Sequence, residues 1–114
     1  MNRIAVSLTG LTLGTAALLA VAFAPDAGAD TFTPSGTKGD RSAVAYLDDL
    51  RGQGATGTVS DAAGLGASIC SLLMDGASED AVIDVLVKPP HPVGPTAAKV
   101  AVWGAEWHFC PTYY

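Results

Sequence analysis

Cys70 and Cys110 are the only cysteines in a chain of 114 residues, and they restrict its fold more than any other feature. Their meaning depends on the compartment, which the N-terminal stretch addresses. Arg3 precedes an apolar run from 4 to 24, which carries the hydroxyl residues Ser7, Thr9, Thr12 and Thr15 and ends at Pro25. A cation, an apolar stretch and then small residues form the pattern of a secretory signal, and Ala27, Gly28 and Ala29 predict cleavage after Ala29. The hydroxyl groups and the cleavage motif speak against a retained membrane anchor. No cysteine follows the run to accept a lipid. Outside the cytoplasm an isolated cysteine pair is most simply a disulfide. The remainder of the chain is one domain at most, with too little apolar area for comfortable stability, so a covalent staple is expected.

Residues 1–29 thus read as a signal peptide, 30–39 as a flexible lead-in and 40–114 as a helical disulfide domain. The lead-in is Thr, Pro, Ser, Gly and Lys with one aromatic, Phe32, which cannot support a packed element. Ala43, Tyr46, Leu47 and Leu50 follow the helical period, with Asp40 or Ser42 as cap, and glycines at 52, 54 and 57 end that helix. A second helix is expected after Ser60 as cap, with Leu65, Ile69, Leu72 and Leu73 on one face, Cys70 bordering it and Gly76 ending it. Ser78 caps a third, in which Val82, Ile83, Leu86 and Val87 form the apolar stripe. After the proline-rich connection at 89–95, Pro95 opens a fourth helix reaching about Phe109, with Val100, Trp103, Trp107 and Cys110 as its expected stripe. No segment alternates with a period of two. The fold class is all-α, a bundle of about four short helices in which the disulfide ties the chain end to the core.

Tyr46, Leu47 and Leu50, then Gly66, Ile69, Cys70, Leu73 and Gly76, then Ala105 with Phe109, Cys110 and Pro111 form a pattern across most of this region. It resembles the actinobacterial family called domain of unknown function 732. The resemblance implies a small exported helical protein with this same disulfide, and it implies no activity. Glu106, the Trp103 and Trp107 pair and the 89–95 connection depart from the family pattern.

Several chemistries are disfavoured. The net charge is −5 and the cations Lys38, Arg41, Arg51, Lys88 and Lys99 are scattered, which argues against nucleic acid as partner. The imidazoles His91 and His108 sit in no catalytic motif, and His91 reads as a solvated loop residue. His108 and Cys110, two apart on a helix, point to different sides, so no metal site is expected. Asp75, Glu79, Asp80 and Asp84 gather at a helix start, where negative charge is favourable for structural reasons alone.

Trp103, Trp107, His108, Tyr113 and Tyr114 concentrate aromatic character near the C-terminus. Two readings stay open there: the rings fill the core and cover the disulfide, or they form a surface for a partner protein or a small apolar ligand. The expected function is a secreted or envelope binding or structural domain with no catalytic residues and no cofactor. Alternatives are a carrier of an apolar or planar ligand, lipid or haem, at the aromatic end, and a small hydrolase or redox protein.

Overall fold

A computed structural model describes residues 33–88 and 93–114. The expected signal peptide, Phe32 and His91 lie outside them. Four helices follow in order: α1 (Ala43–Arg51), α2 (Val59–Met74), α3 (Glu79–Val87) and α4 (Pro95–Phe109), with a 3-10 turn at Pro111–Tyr113. Among the described residues there is no strand, and no helix is long and apolar enough to cross a membrane.

Local chemistry sets the helix starts. The Ser42 hydroxyl accepts from the Ala45 amide and that of Ser78 from the Ala81 amide. α2 begins two residues before the expected place, because Thr58 rather than Ser60 is its cap. Thr58 accepts from the Asp61 amide while the Asp61 carboxylate accepts from the Thr58 amide. That reciprocal pair satisfies two amide donors at once, which a hydroxyl at 60 would not. α4 opens on Pro95, whose missing N–H leaves nothing unsatisfied in a first turn. Gly76 ends α2 at a φ of 106°, a backbone that side-chain-bearing residues rarely adopt.

α4 is the centre of the bundle and packs against α1, α2 and α3. Contact on three sides selects small residues along its length: Ala97, Ala98, Ala101, Gly104 and Ala105 are all buried. Of the stripe expected there, Val100 and Cys110 are buried while Trp103 and Trp107 are only half-buried, because close approach of neighbouring helices leaves no room for an indole. Facing α4 are Tyr46, Leu47 and Leu50 of α1, Leu65, Ile69 and Leu73 of α2, and Val82 and Leu86 of α3. Tyr46 fixes α1 on α4 by donating its hydroxyl to the Ala101 carbonyl at 2.6 Å, inside the core. Cys70 and Cys110 are bonded, with Cα atoms 6.0 Å apart, so the middle of α2 holds the end of α4.

Gly66 of α2 lies beneath the Phe109 ring, which meets Tyr46 edge-on at 5.6 Å. A Cβ at 66 would come within 2.5 Å of that ring and 3.2 Å of Tyr46. Overpacking of this kind costs about 1–3 kcal/mol, against roughly 1 kcal/mol gained from the better helix former. Gly66→Ala is therefore expected to lower stability on balance, measured by urea unfolding, and Phe109→Leu in the same chain should recover most of the loss. A stabilised Gly66→Ala protein would show that the ring swings aside without cost.

The last part of the lead-in lies against the bundle and is hydrogen-bonded to it. The Ser35 hydroxyl donates to the Ala45 carbonyl, the Gly39 amide to the Trp107 carbonyl at 2.6 Å, and the Arg41 amide to the His108 carbonyl at 2.8 Å. Gly39, at a φ of 78°, makes the turn that lays this segment along the end of α4.

Candidate functional site

The residues of the aromatic end divide between two places. His108 is wholly buried on the side of α4 that faces α1 and the N-terminal segment, away from any surface. Its Nδ1 lies 2.8 Å from an Asp40 carboxylate oxygen and its Nε2 lies 2.9 Å from one of Asp49. Ionised carboxylates only accept, so both contacts are satisfied when each ring nitrogen carries a hydrogen. Burial alone would raise the Asp40 carboxyl. Hydrogen bonds from the Ser42 amide and His108, the His108 charge and the Thr37 amide outweigh it and hold Asp40 below the usual carboxylate range. Asp49 also accepts from the Ser35 amide. This network locks the N-terminal segment to the bundle and engages both nitrogens of the imidazole. The sequence signal available was the Asp48 and Asp49 pair. Of the two, Asp49 enters the network while Asp48 is exposed.

On the other side of α4, Trp103, Glu106, Glu79 and Tyr114 line an open cleft of about 340 Å³. Trp103 and Glu106 are three apart, so one helix face presents both. Glu79 arrives from the first turn of α3, where the helix dipole favours its charge. The 3-10 turn after Cys110 brings Tyr114 back over α4, where its ring meets Trp107 edge-on at 5.0 Å. The disulfide fixes the point from which that turn departs. The Lys38 ammonium lies 5.2 Å from the centre of the Tyr114 ring and 5.9 Å from that of Trp107. Tyr113 is exposed beside it and lines no part of the cleft.

Glu106 is the unusual member. It is 1% exposed, and no donor among the other described residues reaches either carboxyl oxygen; the partner it has is the Glu79 carboxyl, and two carboxyl groups bond each other only when one of them carries a proton. Burial first, then the hydrogen bond with Glu79 and the Glu79 charge, push the Glu106 pKa up to about 9. At neutral pH the group is a carboxylic acid at the wall of a cleft. Sequence reading marked Glu106 only as a departure from a family pattern and Glu79 only as a helix-start acid. The available clue was a glutamate on a helix whose neighbouring inward positions are alanine and glycine.

Among the described residues no group of three or more His, Cys, Asp or Glu side chains is gathered as a metal site. Both sulfurs of the disulfide are buried, with Cys70 6% and Cys110 8% exposed.

Comparison with known proteins gives one relationship. Neither curated proteins nor solved structures contain a match to the chain. A family model described as Protein of unknown function (DUF732) matches residues 40–112. The matched region holds both cysteines, His108 with its two carboxylate partners, and every cleft residue except Tyr114. The chain belongs to the DUF732 family.

Proposed function

We propose that the chain is exported and works outside the cytoplasm, released or at the cell envelope, as a non-enzymatic domain that binds a small ligand or a partner at its aromatic end. The observation that carries this reading is the cleft of Glu79, Trp103, Glu106 and Tyr114, with a buried acid in its wall that no donor among the other described residues reaches. Burying a carboxyl group in this way is costly and calls for an explanation, and a ligand that brings the donor supplies one. The N-terminal signal pattern and the buried disulfide support export.

The competing readings find less support. A hydrolase working through His108 would need that imidazole accessible as base, whereas both of its nitrogens are engaged by Asp40 and Asp49; His91, the other imidazole, lies outside the described residues. A redox role calls for an exposed, labile bridge, and this one is buried. A haem or lipid carrier would want a larger and more apolar cavity than an open cleft of about 340 Å³ with two acids.

Native mass spectrometry of protein purified from the culture medium of cells expressing the full chain tests the reading. The expected species begins at Asp30, carries one disulfide and retains a small ligand that denaturation releases. A product confined to the cell with Met1 in place would overturn export. An adduct that survives Glu106→Gln and Trp103→Leu unchanged would overturn the cleft as its site.

A further inference from the structure

We infer that the cleft is a site for a primary alkylammonium group, held by the carboxyl groups of Glu79 and Glu106 against the rings of Trp103 and Tyr114. The inference rests on the reading of the cleft as a binding site and names the chemistry of its occupant.

Three observations converge on that chemistry. First, no other donor reaches the Glu106 oxygens, and Glu106 and Glu79 bond each other only through a proton, so a ligand that takes the place of that proton must bring N–H donors. Second, among the described residues the lining holds two acids and no basic residue, so a positive charge is what complements it. Third, the other two lining residues are aromatic, and the faces of Trp and Tyr attract cations. The molecule already shows this preference, since the Lys38 ammonium stands over the outer rings of the same cluster, Trp107 and Tyr114. A hard metal ion fits poorly, because calcium takes six to eight oxygen ligands and magnesium an octahedral set, whereas indole and phenol rings occupy half of this lining. A quaternary ammonium would satisfy the rings but offers no hydrogen to the carboxyl oxygens. A primary ammonium offers three, and the cleft volume of about 340 Å³ suits a small ligand.

Binding is coupled to a proton. Glu106 is held neutral by burial and by Glu79, so an arriving ammonium pairs with it only as the carboxylate, and the displaced proton leaves to solvent. Glu79 from α3 and the Tyr114 phenol from the chain end share the cleft with Glu106. Lys38 from the N-terminal segment stands on the Tyr114 ring, and α1 and α2 contribute no group to the lining. The apparent affinity should therefore tighten about tenfold per pH unit between about pH 6 and 8.

The same alkylammonium chemistry comes from a free amine or from a lysine side chain. Protein from cells expressing the full chain would be titrated with pentylamine, with 1-pentanol as neutral counterpart and with Nα-acetyl-lysine methylamide as lysine mimic, followed by amide shifts at 79, 103, 106 and 114. The expected result is saturable shifts with the two ammonium probes and none with pentanol, the tighter ammonium probe identifying the source. Glu106→Gln should keep the native amide spectrum, weaken pentylamine at least tenfold and abolish the pH dependence; Trp103→Leu should weaken it severalfold. Shifts with pentanol equal to those with pentylamine would overturn the ammonium inference and leave the binding reading standing. Silence of the cleft resonances with every probe would overturn both.

Discussion

Replacing both cysteines with alanine lowers the stability of the folded domain by about 4 kcal/mol, the loop-closure entropy of a cross-link between residues 40 apart in sequence. Alanine is the informative substitution, since both sulfurs are buried and a serine would add an unsatisfied hydroxyl to the loss. Domains of this size have about 5–15 kcal/mol in total, so the melting temperature should fall on the order of 20 °C. Circular dichroism melts measure it, and coincident melts of variant and native protein would refute the staple. Hydrogen exchange adds a location. The bridge holds the end of α4 to the middle of α2, so protection should be lost first at 105–114, and the Tyr114 side of the cleft with it.

Glu106→Gln acts in the opposite direction. The folded protein keeps Glu106 protonated up to about pH 9, whereas an unfolded chain releases that proton near the ordinary glutamate value. The unfolded state therefore gains on the folded one as pH rises between those two values, and stability contributed by the protonated acid is complete only below the lower one. At roughly 1.4 kcal/mol per pH unit, the burial of Glu106 costs about 3 kcal/mol at about pH 7. Glutamine has the same shape and no proton to lose. The variant is expected to melt on the order of 15 °C higher near neutral pH, and together with the native protein at about pH 4. Equal melting of the two proteins across this range would show that the acid is satisfied in solution. A gain in stability beside a loss of pentylamine binding is the pattern of a residue kept for function.

How much of this was legible in the sequence depended on the reach of each signal. The bounds of α3 and α4 follow from Ser78 and Pro95, because a cap and an N-terminal proline act within one turn. The start of α2 was misplaced since Thr58 and Ser60 are both acceptable caps, and only the reciprocal bond with Asp61 separates them. The disulfide needed no geometry, with two cysteines to pair. The inner face of α4 was less legible. Periodicity ranked the large indoles above the alanines, whereas a helix enclosed on three sides buries its smallest residues most completely. The cleft and the His108 network were the least visible, since Glu79 and Glu106 meet across two helices, and Asp40 and Asp49 reach His108 across most of the domain's sequence.

The N-terminal segment, hydrogen-bonded at Gly39 and Arg41 to the last turn of α4, has a consequence for anything joined to the domain. It sets Lys38, one residue before Gly39, with its ammonium over the Trp107 and Tyr114 rings, so whatever disturbs this segment reaches the Tyr114 wall of the cleft. A reporter joined after Tyr114 starts at that same wall. Its linker then sets which molecules reach the cleft.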